Sequence, residues 1–165
     1  MTDGAIQVIK RDGRKESIHL EKIHLMTYEA CEGLSGVSAS QVEMNSGIQF
    51  YDGIKTSDIQ QILVRSAADL IDLESLNYQY VAARLLLFGL RKEVFGQFDY
   101  IPLDELIEKN IEKGLYDPAI TKEWYSKKDI EKLNSYIKHK RDFEFTYAGL
   151  RQVVDKYLVQ DRSSG

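Results

Sequence analysis

The sequence predicts a mainly α protein: a helical bundle capped by a small β-hairpin or sheet, followed by further helices. Three observations predict it. Apolar and polar residues alternate on both sides of Asp12-Gly13, apolar residues recur every three or four positions in the segments that follow, and Val81 to Leu90 is apolar nearly all round. At 165 residues, with 43% apolar and 29% charged, the chain is long enough to bury a core as one domain or two small ones.

The elements follow in chain order. "IQVIKRDGRKESIHL" predicts a hairpin of roughly residues 6–11 and 14–18, closed by a type I′ turn at Asp12-Gly13, a pair suited to positive φ. Two strands alone are marginal in water, so the hairpin must lie on something apolar. Leu20, Ile23, Met26, Ala30 and Leu34 share one face of a helix ending near Gly33, with Glu21, Lys22 and Glu29 opposite. A shorter helix fits "SASQVEMNSGIQFY", capped by Ser38 or Ser40, with Val42 and Ile48 inward. "DGIKTSDIQQILVRSAADLI" reads as a turn at Asp52-Gly53, an extended piece at Ile54 and Lys55, and a helix capped by Thr56 or Ser57. Its buried stripe is Ile59, Ile62, Leu63, Ser66, Ala67 and Leu70. "NYQYVAARLLLFGLRKEVFGQF" belongs at the centre of the bundle. Gly96 and Pro102 then mark a change to more charged sequence, which places a boundary near Gln97 with helices at about 103–113, 126–137 and 146–157 beyond it.

A formal net charge of −4 argues against broad nucleic-acid binding, which rests on summed basic charge. The N-terminus lacks the pattern of a secretory signal, and the longest apolar run is too short to span a bilayer. Cys31 is the only cysteine, so no intramolecular disulfide or cysteine-rich zinc site forms, and a reducing, cytoplasmic setting is expected.

Against that acidic background, "VIKRDGRKESIHLEKI" sets five cations against three carboxylates. A polyphosphate needs several converging cations plus hydroxyl or amide donors, because its charge is spread over many oxygens. Lys10 and Arg11 at a strand end, Thr56 at a helix N-terminus and Arg91-Lys92 at the close of the central helix supply such groups from three elements. The competing expectation is a solvated hairpin tip with ordinary surface charges. Neither GxxxxGK[ST] nor GxGxxG occurs, so any nucleotide site is of another kind. His19, His24 and His139 read as solvent-facing or capping, and Cys31 as a small buried hydrophobe without a role. The tyrosines Tyr78, Tyr80, Tyr147 and Tyr157 are expected to pack with their hydroxyls at the surface, and "KHKRDFEF" to form a helix end or an interface.

Taken together, "VIKRDGRKESIHLEKI", "IQFYDGIKTSDIQQILVRSAADLI", "YQYVAARLLLFGLRKEVFGQF" and "RDFEFTYAGLRQVVDKYLVQDRSSG" resemble, collinearly, the N-terminus of a class I ribonucleotide reductase large subunit. The resemblance implies a four-helix ATP-cone under a β cap over residues 1–96, and the helical start of the catalytic domain over 97–165. It implies that the cone binds ATP as activator or dATP as inhibitor, with magnesium as a possible companion, and so sets the overall activity of ribonucleoside-diphosphate reduction. Carried over position by position, Lys10, Arg11, Thr56 and Lys92 would contact phosphate, Lys22 ribose or phosphate, and Glu16 the adenine amino group. Ile18, Ile23 and Ile59 would wall the base. His19 stands where Asn is familiar in the bacterial enzymes and Gln60 where His is, the latter close to the sugar. The implied partners are the remainder of a homodimeric large subunit and the radical-generating small subunit, with neither nucleic acid nor membrane. The family's chemistry needs several cysteines, so this chain alone is expected to be inactive, a shortened form or one piece of a split subunit. A different expectation from the same resemblance is a cone that has lost its nucleotide and only docks subunits.

Overall fold

The computed structural model describes residues 6–47 and 50–158. Strands β1 (Gln7–Ile9) and β2 (Lys15–Ser17) pair antiparallel, and β3 (Ile54–Lys55) adds to the other edge of β1 in parallel, giving the order β2-β1-β3. The turn between β1 and β2 differs from the expected type I′. Gly13 N–H donates to the Lys10 carbonyl at 2.9 Å and Lys10 N–H to the Arg14 carbonyl at 2.8 Å, a three-residue loop in which only Gly13 takes a positive φ, 83°. Asp12 decides the form. Its carboxylate accepts from the backbone N–H of Arg14 at 3.0 Å and from Arg14 Nε at 2.7 Å, so Asp12 stays at negative φ and Gly13 alone makes the reversal.

Helices α1 (Leu20–Cys31), α2 (Ala39–Ser46), α3 (Thr56–Asp69) and α4 (Tyr78–Phe95) form the bundle beneath this cap. The stripe on α1 holds from Ile23 to Ala30, but Leu20 in its first turn is 56% exposed, at the lip of a surface hollow. Ser38 caps α2 as expected, accepting from Gln41 N–H, and Val42 is buried; Ile48 lies outside the described residues. The start of α3 corrects the expectation of a Thr56 or Ser57 cap: Lys55 is the N-cap and Thr56 the first helical residue. Pairing of Lys55 with Ile9 keeps that residue extended up to the helix, which leaves Thr56 inside the first turn.

As expected, α4 is buried on nearly every side, with Val81, Ala82, Leu85 and Phe88 in one core with Leu63 and Ala67 of α3. Burying each such side chain stabilises the fold by about 1.5–3 kcal/mol. Beyond Gly96 come α5 (Leu103–Glu112), a π-helical turn (Ile120–Trp124), α6 (Lys127–Tyr136, capped by Ser126), a 3-10 segment (His139–Glu144) and α7 (Tyr147–Lys156, capped by Thr146). The "KHKRDFEF" stretch makes an interface: Phe143 meets Phe88 edge-on at 6.1 Å between ring centroids, and Leu150 of α7 joins the α4 core.

Tyr78 corrects the expectation of surface hydroxyls. It is 1% exposed, and its hydroxyl donates to Gln41 Oε1 at 2.7 Å while accepting from Ser38 N–H at 3.1 Å, which ties α4 to the start of α2. Tyr78→Phe leaves both partners short of a bond in a site closed to water, and urea unfolding is expected to show a loss of roughly 1–3 kcal/mol. An unchanged midpoint would mean that water replaces the hydroxyl.

Candidate functional site

The cap, α1, α3 and α4 enclose an open cleft of about 720 Å³, inside the range of roughly 300–1,000 Å³ usual for small-molecule sites. Every site residue carried over from the resemblance lines it. The β1–β2 hairpin supplies Lys10, Arg11 and Glu16, the β2–α1 connection Ile18 and His19, α1 Lys22 and Ile23, α3 Thr56, Ile59 and Gln60, and α4 Lys92. Sheet register explains much of the convergence. Ile9 pairs with Lys55, so the end of β1 and the first turn of α3 lie side by side, and Lys10 and Thr56 line the same cleft.

The cleft lining carries the cations Lys10, Arg11, Arg14, Lys22 and Lys92 and the carboxylates Asp12, Glu16, Glu29 and Asp99. Lys10 Nζ lies 2.9 Å from Glu16 Oε1, and Lys22 Nζ lies 3.8 Å from the same oxygen, so one carboxylate serves two lysines. The hydrogen bond from Lys10 holds the Glu16 carboxyl below the usual carboxylate range, helped by the charges of Lys10 and Lys22. Lys92 is pushed down from its ordinary value, first by burial and then by Lys10, Arg11 and Lys22. Four cations from three elements therefore share one field, and an anion entering it removes their repulsion.

The remaining lining is mixed. Ile59 is 4% exposed, and with the half-buried Ile18 and Ile23 it gives the cleft an apolar part. The first amides of α3 have no side-chain acceptor from their N-cap and favour an anion through the helix dipole. Gln60 is buried and its Nε2 donates to the Leu85 carbonyl at 2.6 Å, so its amide is held against α4. His19 sits exposed at the N-cap of α1 without making a cap bond.

One expected member is absent. Arg91 is 6% exposed and turned away: Nη2 donates to the Tyr100 hydroxyl at 2.6 Å and to Asp142 Oδ2 at 3.3 Å, and the guanidinium stands 4.2 Å from the Tyr100 ring centroid. Successive helical residues point about 100° apart, so Lys92 and its neighbour serve different faces. Residues missed in the sequence also line the cleft, among them Asp12, Arg14, Glu29, Phe98 and Asp99. Lys92 Nζ lies 3.9 Å above the Phe98 ring, a cation–π contact. Gly96 was the available signal. At φ 75° it ends α4 in the left-handed conformation that turns the chain back over the last helical turn.

A second hollow of about 850 Å³, lined by Leu20, Tyr28 and Phe50 among others, contains no lysine or arginine and does not suit a polyphosphate. Among the described residues no group of three His, Cys, Asp or Glu is placed to hold a metal ion, and no helix is long and apolar enough to cross a membrane. Cys31 is half-buried, with its thiol pushed up to about 11 by burial, as suits a packing residue.

Residues 6–93, which carry the hairpin, α1 to α3 and α4 through Lys92, match the family model described as the ATP cone domain. The chain belongs to the ATP-cone family. Over 98% of its length it is 48% identical to ribonucleoside-diphosphate reductase 1 subunit alpha of Salmonella typhimurium strain LT2. It is 48% identical over 96% of its length to the Escherichia coli K12 protein of the same name, and 45% identical over 98% to subunit alpha of Haemophilus influenzae. The chain spans 21% of the length of each of these relatives. Similarity to them extends past the cone into α5, α6 and α7.

The Lys10–Glu16 pair in the cone gives a direct electrostatic test. A carboxyl held low in the folded state adds stability above its unfolded value, and that stability is lost as pH falls through the lowered one. The Glu16 carboxyl carbon, followed by NMR, is expected to titrate below the usual carboxylate range and to return towards it in Lys10→Ala. A titration unmoved by that substitution would contradict the pairing.

Proposed function

We propose that this cone is an allosteric nucleotide sensor that binds ATP or dATP and thereby regulates a ribonucleoside-diphosphate reductase. The observation that carries the reading is the shared field of Lys10, Arg11, Lys22 and Lys92 beside an apolar lining. In this reading Lys10, Arg11 and Lys92 hold the triphosphate with the first-turn amides of α3 and the Thr56 hydroxyl. Lys22 reaches ribose or phosphate, Ile18, Ile23 and Ile59 grip the purine, and Glu16 accepts from the adenine amino group. Gln60 borders the sugar, and His19 belongs to the same site. Magnesium enters with the triphosphate.

ATP and dATP differ by one hydroxyl and carry the same charge, so they switch an equilibrium only if two states of the assembly differ in their preference between them. We infer that those states are arrangements of the rest of a homodimeric large subunit and of the small radical-generating subunit, with residues 1–96 as the sensing unit and 97–165 as the helical start of the catalytic domain. The setting is cytoplasmic.

Calorimetry with the isolated chain is expected to show saturable binding of ATP and dATP. Each charge-assisted contact is worth about 1.5–3 kcal/mol, so Lys10→Ala and Lys92→Ala should each weaken ATP roughly tenfold to hundredfold. Absence of saturation by either nucleotide in the unsubstituted chain would overturn the reading.

A further inference from the structure

Lys10 and Lys22 both lean on Glu16, but Lys92 has no carboxylate of its own: among the described residues it forms no ion pair. Its partner is an aromatic ring. Lys92 Nζ lies 3.9 Å from the ring centroid of Phe98, a residue that follows the chain reversal at Gly96 and comes back over the end of α4. The ring is anchored on its other side. It meets Phe88 at 6.2 Å between centroids with the planes 89° apart, and Phe88 is buried in the α4 core. Positions 88 and 92 lie one turn apart on the same helix face, so Phe98 spans a core residue and a cleft cation. Phe98 itself is 42% exposed, and plain packing over the helix end is the competing explanation of its place.

A ring suits this ammonium better than a carboxylate does. Lys92 is half-buried and pushed towards its neutral form by burial and then by Lys10, Arg11 and Lys22. The quadrupole of a ring face favours the charged form. A carboxylate would favour it too, but would set a negative charge where a phosphate is to enter, whereas the ring is neutral. The ring also covers only one side of the ammonium, which leaves N–H donors for an anion.

We propose that Phe98 is a positioning residue for the phosphate-binding lysine: its ring holds the Lys92 ammonium in the cleft without a competing anion and stays against it when a polyphosphate binds. The inference rests on the nucleotide-sensing reading of the cleft, and it adds a residue that touches no ligand itself.

The test titrates the full chain and its Phe98→Leu, Phe98→Tyr, Lys92→Met and combined Phe98→Leu, Lys92→Met variants with ATP and with inorganic tripolyphosphate, and follows the Lys92 ε-methylene protons by NMR. In the unsubstituted chain the Phe98 ring current is expected to hold those protons upfield of ordinary lysine positions, with and without tripolyphosphate. Phe98→Leu keeps apolar bulk but no π face. It is expected to return the protons to ordinary positions and to weaken both ligands about threefold, the scale of one exposed cation–π contact. Phe98→Tyr keeps the face and is expected to bind as the unsubstituted chain does. In the Lys92→Met background Phe98→Leu is expected to cost nothing further, because the group it positions is gone. Equal losses in both backgrounds would mean packing alone, and a loss for ATP without one for tripolyphosphate would mean that Phe98 meets the nucleoside. Tighter binding by Phe98→Leu would mean that the ring competes with phosphate. Each of these overturns the proposal. Should Phe98→Leu lose its cooperative thermal transition, the unsubstituted chain decides: upfield shifts that persist on saturation with tripolyphosphate support the proposal, and shifts that vanish overturn it. An unsubstituted chain that binds neither ligand overturns the nucleotide reading together with this one; a chain that binds both, with Phe98→Leu unchanged in affinity, overturns this one alone.

Discussion

The crowding of Lys10, Arg11, Lys22 and Lys92 into one cleft is the constraint on which the site depends. Glu16 relieves two of the lysines through one oxygen, and Lys92 is pushed down first by burial and then by its cationic neighbours. Surface charges in water interact by about 1 kcal/mol or less, whereas each side chain in the α3–α4 core contributes about 1.5–3 kcal/mol. The core therefore wins easily. It holds an unfavourable cluster in place, and the energy recovered when an anion arrives is available for binding.

The cluster owes its geometry to α4, whose last turns separate two tasks. Lys92 looks into the cleft under the Phe98 ring, while Arg91 is buried against Tyr100 and Asp142 on the side where the 3-10 segment packs. His139 stacks on the far side of this group, 3.5 Å from the Tyr100 ring centroid. The residues between Gly96 and Ile101 therefore touch both the cleft, through Phe98 and Asp99, and the following segment, through Tyr100. A ligand that draws Lys92 towards phosphate acts on the end of a helix that both parts of the chain share.

Much of this was legible in the sequence because periodicity and turn chemistry are local. The stripe on α3, the all-round burial of α4, the cap at Ser38, and the extended piece at Ile54 and Lys55 all follow from residues a few positions apart. The cationic residues of the cleft were legible by resemblance and by charge density. What escaped depends on contacts between distant residues. The Asp12 carboxylate selects a different turn through Arg14, Lys55 takes the cap position because β3 pairs with β1, and Tyr78 is buried because Ser38 and Gln41 lie within reach of its hydroxyl. Arg91 and Lys92 carry the same charge but serve different faces of α4, and what packs on each face decides which of them reaches the cleft. Phe98 carries no charge, so a reading led by cations passes over it.

The central claim is that side chains remote in sequence hold a single triphosphate between the hairpin and α4. A crystal structure of the chain with dATP measures this directly. The expected result is a triphosphate in hydrogen-bond reach of Lys10, Arg11 and Lys92, with the purine against Ile18, Ile23 and Ile59. Nucleotide bound instead in the hollow lined by Leu20, Tyr28 and Phe50, with the Lys92 ammonium still on the Phe98 ring, would contradict it.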